Sequence, residues 1–266
     1  MIIEQGIAKH NFLLHSIDVD PYYIARLEAY FNMMQEAAGM HAFHLGIGIP
    51  QLREEKKTWV VTRTQMNIYK WASWPTTIDV ETWPQLPYRL YYPRGCRGYS
   101  ETSHDLLFES MTLWLIIDSE TFRIMKPDDS YNNLLGKSER QVDPAMKKRL
   151  SFIPENYKVV EKNKIKIQYH HTDSNFHVNN VVYLQWMIST LPFPLLDMYQ
   201  PSFVDISYLK QAFRDDPLLS YTGYGADYSL DADEFTLYHN IVKVEENGEE
   251  SALCFATTTW KKRELF

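Results

Sequence analysis

One order of elements occurs twice along this chain, and that constrains the fold more than any other feature. Laying Asp20 on Asp173 places Tyr30 on Tyr183 and Met34 on Met187. Further on, Trp74-Pro75 falls on Asp216-Pro217, and each pair ends a strand-like run. Few residues are identical, but the sequence of elements repeats. Two copies of one unit in a single chain predict an intramolecular counterpart of a dimer, with pseudo-two-fold symmetry.

Each copy reads as a strand, a long helix and a run of strands. Residues 1–18 suggest a strand, with Asn11 to His15 its apolar part. Asp20-Pro21 suggests a helix start, a capping Asp followed by Pro at the first helical position. Leu27, Tyr30, Phe31, Met34 and Ala38 then recur at helical spacing, predicting one helix over residues 22–43. After it the period changes. Residues 58–69, 76–83, 88–99 and 106–117 are rich in β-branched and aromatic side chains and predict four strands. The second copy predicts a strand over 159–169, a helix over 175–191, and strands over 202–213, 218–224, 235–244 and 251–261. A sheet that wraps a buried helix is an α+β unit of the hot-dog kind. The expectation is therefore a double hot-dog: a first domain over 1–126, a polar linker over 127–156 with a short helix near 144–150, and a second domain over 157–266.

Composition narrows the function classes. The 266 residues carry a net charge of −7 and no long basic run, which argues against a nucleic-acid binder. Two short basic clusters, Lys147-Lys148-Arg149 and Lys261-Lys262-Arg263, could meet an acidic partner or simply face solvent. Aromatic residues make up 14% of the chain and suit either a strand-rich core or an apolar pocket. The two cysteines, Cys96 and Cys254, lack metal-ligand spacing and suit a reducing compartment. No signal peptide or membrane-spanning run is read, so the expected location is cytoplasmic.

The segment from Tyr169 to Asn180 concentrates the polar chemistry. Asp173, Asn175 and His177 alternate at a spacing of two, which in an extended backbone puts all three on one side. They precede a buried helix, where unpaired N–H groups could stabilise an oxyanion. A histidine near neutral pH can deprotonate water, and an Asn can hydrogen-bond a carbonyl. Helix capping with one exposed His is the plainer alternative. The first copy bears on it: Asp20 is kept, but Tyr22 and Ile24 stand where the second copy has Asn175 and His177. Capping therefore does not require the Asn or the His. His170, His171 and His177 lack a partner at ligand spacing, so no metal is expected. Neither a glycine-rich phosphate loop nor a Gly-x-Ser-x-Gly elbow occurs.

The stretch Asp173-Ser174-Asn175-Phe176-His177-Val178-Asn179-Asn180 resembles the D-x-N-x-H-V-N-N signature of the plant and bacterial fatty acyl-[acyl carrier protein] (acyl-ACP) thioesterases, and Tyr183 fits as well. Thr58 to Arg63 is similar to that family's W-V-V-T-R strand and Asp79 to Trp83 to its V-E-T-W strand. Glu120-Thr121-Phe122-Arg123 with Lys126-Pro127 resembles its E-T-R-R…K-x-P stretch. The resemblance implies a double hot-dog enzyme that hydrolyses long- or medium-chain acyl-ACP to free fatty acid and holo-ACP without a cofactor. It implies a general base at His177, an Asn175 that binds or orients the thioester carbonyl or water, and an Asp173 that positions Asn175. It departs from the family at Gln211, which stands where the plant members have a catalytic Glu, and at Ala212, where they have Cys. An amide there can hold water but cannot act as a base. Asn179 and Asn180 are expected at the substrate, and Met33, Met34 and Trp59 are expected to line the acyl tunnel or to pack the core. The implied partner is acyl carrier protein, with Lys147-Lys148-Arg149 as the expected docking patch; nucleic acid and membrane are not expected, and a homodimer is left open. An acyl-CoA thioesterase, a non-catalytic acyl-binding hot-dog protein and an enoyl-thioester hydratase remain the alternatives.

Overall fold

A computed structural model of the chain describes residues 1–140, 146, 150, 153–154, 157–173, 177–225 and 228–263. The chain divides into two compact units, Met1–Lys147 and Lys148–Phe266.

The first unit contains strands β1 (Ile2–Glu4), β2 (Ile7–Leu13), β3 (Lys57–Ile68), β4 (Thr77–Pro84), β5 (Tyr92–Ser100) and β6 (Leu106–Asp118), with helices α1 (Leu27–His44) and α2 (Ile49–Glu54). Its sheet runs β1-β2-β4-β5-β6-β3, and every pairing is antiparallel. Helix α1 is rich in Ala and Met, both good helix formers. It stops just before Gly46, whose φ of +78° is open to glycine at no steric cost. There Ile47 N donates to Ala42 O and Gly46 N to Phe43 O, both at 3.0 Å, which satisfies two terminal carbonyls. The buried face of α1 includes Tyr30, Phe31, Met34, Ala37, Ala38 and His41. Phe108 meets it from the sheet, 4.8 Å from the Tyr30 ring, over a Gly98 that leaves room for it.

The second unit contains β7 (Lys158–Ile165), α3 (Asn180–Ile188), α4 (Phe193–Met198), β8 (Tyr199–Tyr208), β9 (Leu218–Tyr224), β10 (Glu234–Val244) and β11 (Glu250–Lys262). Its sheet runs β8-β11-β10-β9-β7, again antiparallel throughout. Tyr199, Trp260, Leu195 and Leu237 pack together at one end. Among the described residues, no helix is long and apolar enough to cross a membrane.

Three differences from the sequence reading have physical causes. Both long helices start later than expected, at Leu27 and Asn180, because Asp20 and Asp173 fold the chain into turns ahead of them. Asp20 Oδ1 accepts from Tyr22 N (2.9 Å) and Ile24 N (3.1 Å), so it organises a turn and is not a helix cap. Second, α2 and α4 are six-residue helices, too short to show a helical period. Third, the first part of the expected linker belongs to the first unit. Tyr131 and Leu135 are buried against Ala42, Ile47, Leu52 and Tyr92, Arg140 pairs with Glu81, and Gly136 N donates to Pro84 O at 3.2 Å. The expected helix near 144–150 falls outside the described residues, save 146 and 150.

Candidate active site

The same turn recurs in both units, with matching bonds among the described residues. In the first unit Asp20 N donates to Ile24 O (2.8 Å), Ala25 N to Ala72 O (2.8 Å) and Arg26 N to Asp18 O (2.9 Å). In the second, Asp173 N donates to His177 O (2.8 Å), Val178 N to Ala212 O (3.3 Å) and Asn179 N to His171 O (2.9 Å). The carboxylates match as well: Asp20 Oδ1 accepts from Ile24 N at 3.1 Å and Asp173 Oδ1 from His177 N at 3.3 Å. A helix tyrosine then locks each turn to the loop beyond the next strand. Tyr30 Oη accepts from Ala72 N (2.8 Å), and Tyr183 Oη from Ala212 N (3.0 Å). This scaffold needs the Asp and the Tyr in both copies. It needs nothing from the side chain at the fifth position, which is Ile24 in one copy and His177 in the other.

The histidine at the fifth position is therefore particular to the second turn. Its ring is partly buried and meets the Phe213 ring edge-on at 5.3 Å. Burial lowers its pKa below 6.5, and the nearby Asp173 charge offsets this in part. The imidazole is thus held neutral near pH 7 and can accept a proton. Phe213 is fixed in turn: its N–H donates to Asp216 Oδ2 (2.8 Å), and Asp216 Oδ1 pairs with Lys243 Nζ (2.7 Å). Sequence reading did not find Phe213, Asp216 or Lys243. Of the three, only Asp216 carried a signal, as the partner of Trp74 in the repeat.

The other expected site residues divide. Asn175 lies outside the described residues. Gln211 is in the loop after β8, next to the Ala212 that both Val178 and Tyr183 engage; it is partly buried and has no side-chain hydrogen bond to a described residue. Asn179 caps α3, accepting from Val181 N at 2.9 Å. The Asn180 carbonyl accepts from Tyr208 Oη at 3.1 Å. Asn179 thus has a structural duty that accounts for its place, and so does the Asn180 backbone. Trp59 is a fastening: its indole donates to Ile47 O (2.7 Å), tying β3 to the end of α1. Met33 is buried on α1, and the Met34 sulfur accepts from Ser110 Oγ at 2.9 Å. Lys147-Lys148-Arg149 falls outside the described residues. In the other basic cluster Lys261 pairs with Glu234 and Lys262 with Asp233, while Arg263 donates to the Leu196 and Tyr199 carbonyls. Among the described residues, no three His, Cys, Asp or Glu side chains gather to hold a metal.

Comparison with known proteins matches both halves of the chain. Residues 6–134 match the acyl-ACP thioesterase N-terminal domain, and residues 155–262 match its C-terminal domain. The chain belongs to the acyl-ACP thioesterase family. An oleoyl-acyl carrier protein thioesterase of Coriandrum sativum is 26% identical over 94% of this thioesterase and 70% of its own length. One from Arabidopsis thaliana is 24% identical over 98% and 78%. Among solved structures, the 12:0-ACP thioesterase from Umbellularia californica superposes with a TM-score of 0.82 at 22% identity, covering 97% of this chain and 94% of that one. An acyl-ACP thioesterase from Bacteroides thetaiotaomicron gives 0.79 at 19%, covering 97% and 100%. The fold of this thioesterase is the double hot-dog.

Proposed function

We propose that this thioesterase hydrolyses long- or medium-chain fatty acyl-ACP to a free fatty acid and the carrier thiol. The observation that carries the site assignment is the repeated turn, in which Asp is common to both copies and the histidine is confined to the second. In this reading His177 takes a proton from water as the oxygen attacks the thioester carbonyl carbon. The tetrahedral oxyanion then collapses, the C–S bond breaks, and the leaving thiolate recovers the proton from His177. Gln211 hydrogen-bonds the water, Asn175 orients the thioester carbonyl or the water, and Asp173 holds the turn that presents both Asn175 and His177. An acidic carrier would dock on Lys147-Lys148-Arg149. The free, buried thiols Cys96 and Cys254 support a reducing, cytoplasmic setting. Incubation with palmitoyl-ACP and analysis of both products tests the proposal. Equal amounts of palmitate and thiol are expected; a hydroxyacyl-ACP, or bound substrate with no product, would contradict it.

A further inference from the structure

The turn that carries His177 is preceded by a cap that the two units build from different chemistry. The alignment that lays Asp20 on Asp173 also lays His15 on Gln168 and Asp18 on His171. In the first unit a short 3-10 helix, Ser16–Asp18, opens with His15 N donating to Asp18 Oδ2 at 3.0 Å. In the second, the helix Tyr169–His171 opens with Gln168 N donating to His171 Nδ1, also at 3.0 Å. The backbone around the two acceptors corresponds as well. Asp18 O accepts from Arg26 N and His171 O from Asn179 N, each at 2.9 Å. The residue that follows each acceptor pairs across the turn, Val19 with Ala25 and Thr172 with Val178. One residue therefore closes the cap with its side chain and holds the chain leaving the turn with its carbonyl. In the second unit that chain leaves from His177.

The two acceptors respond differently to acid. A backbone N–H only donates, so His171 Nδ1 must be bare and the ring proton must sit on Nε2. A carboxyl group keeps an acceptor oxygen in either protonation state, whereas an imidazole loses its acceptor when Nδ1 takes a proton. Two donors then face each other at Gln168. The His171 ring is half-buried. Trp186 of α3 meets it edge-on at 5.4 Å, and His170 at 4.5 Å. Helix α3 has no charged side chain over Asn180–Ile188, and Asp173 turns its carboxylate to His177 N at 3.3 Å. Burial, and then the His170 charge, lower the His171 pKa below 6.5. The folded ring is thus a weaker base than a free one. The cap is complete above pH 6.5 and is lost as pH falls through the lowered value.

We propose that His171 is a positioning residue that couples the catalytic turn to pH: a neutral ring closes the cap and holds the turn that presents His177, and a proton on Nδ1 releases it. The proposal rests on the assignment of the chemistry to His177, but the cap itself does not. The first unit, with Asp18 in the same place, has no such release.

The test compares wild type with His171→Asp, which installs the acceptor of the first unit, in the full chain. Side-chain nitrogen-15 spectra without substrate are the first reading. At pH 8 the imidazole signal lost in the variant should belong to a ring protonated on Nε2 and bare at Nδ1. A ring protonated on Nδ1 would overturn the proposal. Thiol release from palmitoyl-ACP is the second reading. His177 titrates in both proteins, so the ratio of kcat/KM, variant over wild type, isolates His171. That ratio should rise about 3- to 10-fold from pH 8 to pH 5, as the loss of one cap implies. A ratio that does not change with pH would overturn the proposal. His171→Asn supplies an uncharged acceptor and should give the same rise, and it serves if His171→Asp fails to fold. A rise with Asp that Asn does not reproduce would assign the effect to charge and overturn the cap. The spectra need no turnover, so a failure of the cap is distinct from a failure to cleave acyl-ACP.

Discussion

Replacing Tyr183 by Phe removes one oxygen and tests whether the repeated turn holds the site. Tyr183 is 3% exposed and Ala212 fully buried, and their 3.0 Å bond helps fasten the loop that carries Gln211 and Phe213. The Phe ring would keep the packing against Trp186 and Tyr208, at 5.4 and 5.6 Å. The cost is then the desolvated Ala212 N–H, about 1–3 kcal/mol. At roughly 2–4 °C per kcal/mol for a protein of this size, the melting temperature should fall by about 2–12 °C. Tyr30→Phe makes the same cut in the first copy, at the 2.8 Å bond to Ala72 N, and should cost at least as much because Tyr30 Oη also reaches Lys70 O at 3.3 Å. The two variants should part in their kinetics. At 25 °C, with both folded, Tyr183→Phe should lower kcat for acyl-ACP by about 3- to 30-fold, since small displacements of reacting groups are costly. Tyr30→Phe should stay within about twofold of wild type. Thermal melts with thiol-release kinetics on each variant make the measurement. A Tyr183→Phe protein that melts with wild type would refute the energetic argument. Equal kinetic losses in both variants would refute the assignment of chemistry to the second turn alone.

Further outcomes follow from the same contacts. Phe213→Ala exposes the His177 ring, so the pKa on the acid limb of kcat/KM should rise toward 6.5; a pH–rate profile identical to wild type would remove Phe213 from the site. Gln211→Glu should raise kcat at neutral pH if water activation limits the rate, by up to the ~10²–10⁴ that a general base contributes, and stopped-flow thiol release would register it. Acid should weaken the fold. His41 and His239 are both held down to about 3 by burial, so between pH 6.5 and about 3 the unfolded chain binds more protons than the folded one. Their contribution is complete above pH 6.5 and lost as pH falls, about 4 kcal/mol for the pair between pH 7 and pH 5. Urea midpoints that do not drop over that range would show these rings are not buried neutral.

Much of this architecture was legible in the residues because strands announce themselves locally. The run from Leu218 to Tyr224 is apolar, aromatic, β-branched or small throughout, and its expected bounds coincide with those of β9. The repeat was legible through Tyr30 and Tyr183, although their shared duty as acceptors for a loop N–H has no sequence signature. The helix starts differ from the sequence reading at Asp20-Pro21. An Asp before Pro suits a helix cap and a tight turn equally, and only the pairing of Val19 with Ala25 decides for the turn. Tyr131 and Leu135 read as linker because isolated apolar residues in a polar stretch carry no period. At the site, His177 was visible because its counterpart is Ile24. Phe213, Asp216 and Lys243 were not, since they come from a loop and a distant strand and meet only in three dimensions.

The central claim is that His177 is the base of a thioester hydrolase. Thiol release from palmitoyl-ACP by wild type and by His177→Ala tests it most directly. The account predicts ready release by wild type and a loss of about 10²–10⁴-fold in the variant, with an unchanged melting temperature to within a few degrees. A His177→Ala protein that releases thiol at the wild-type rate would contradict it.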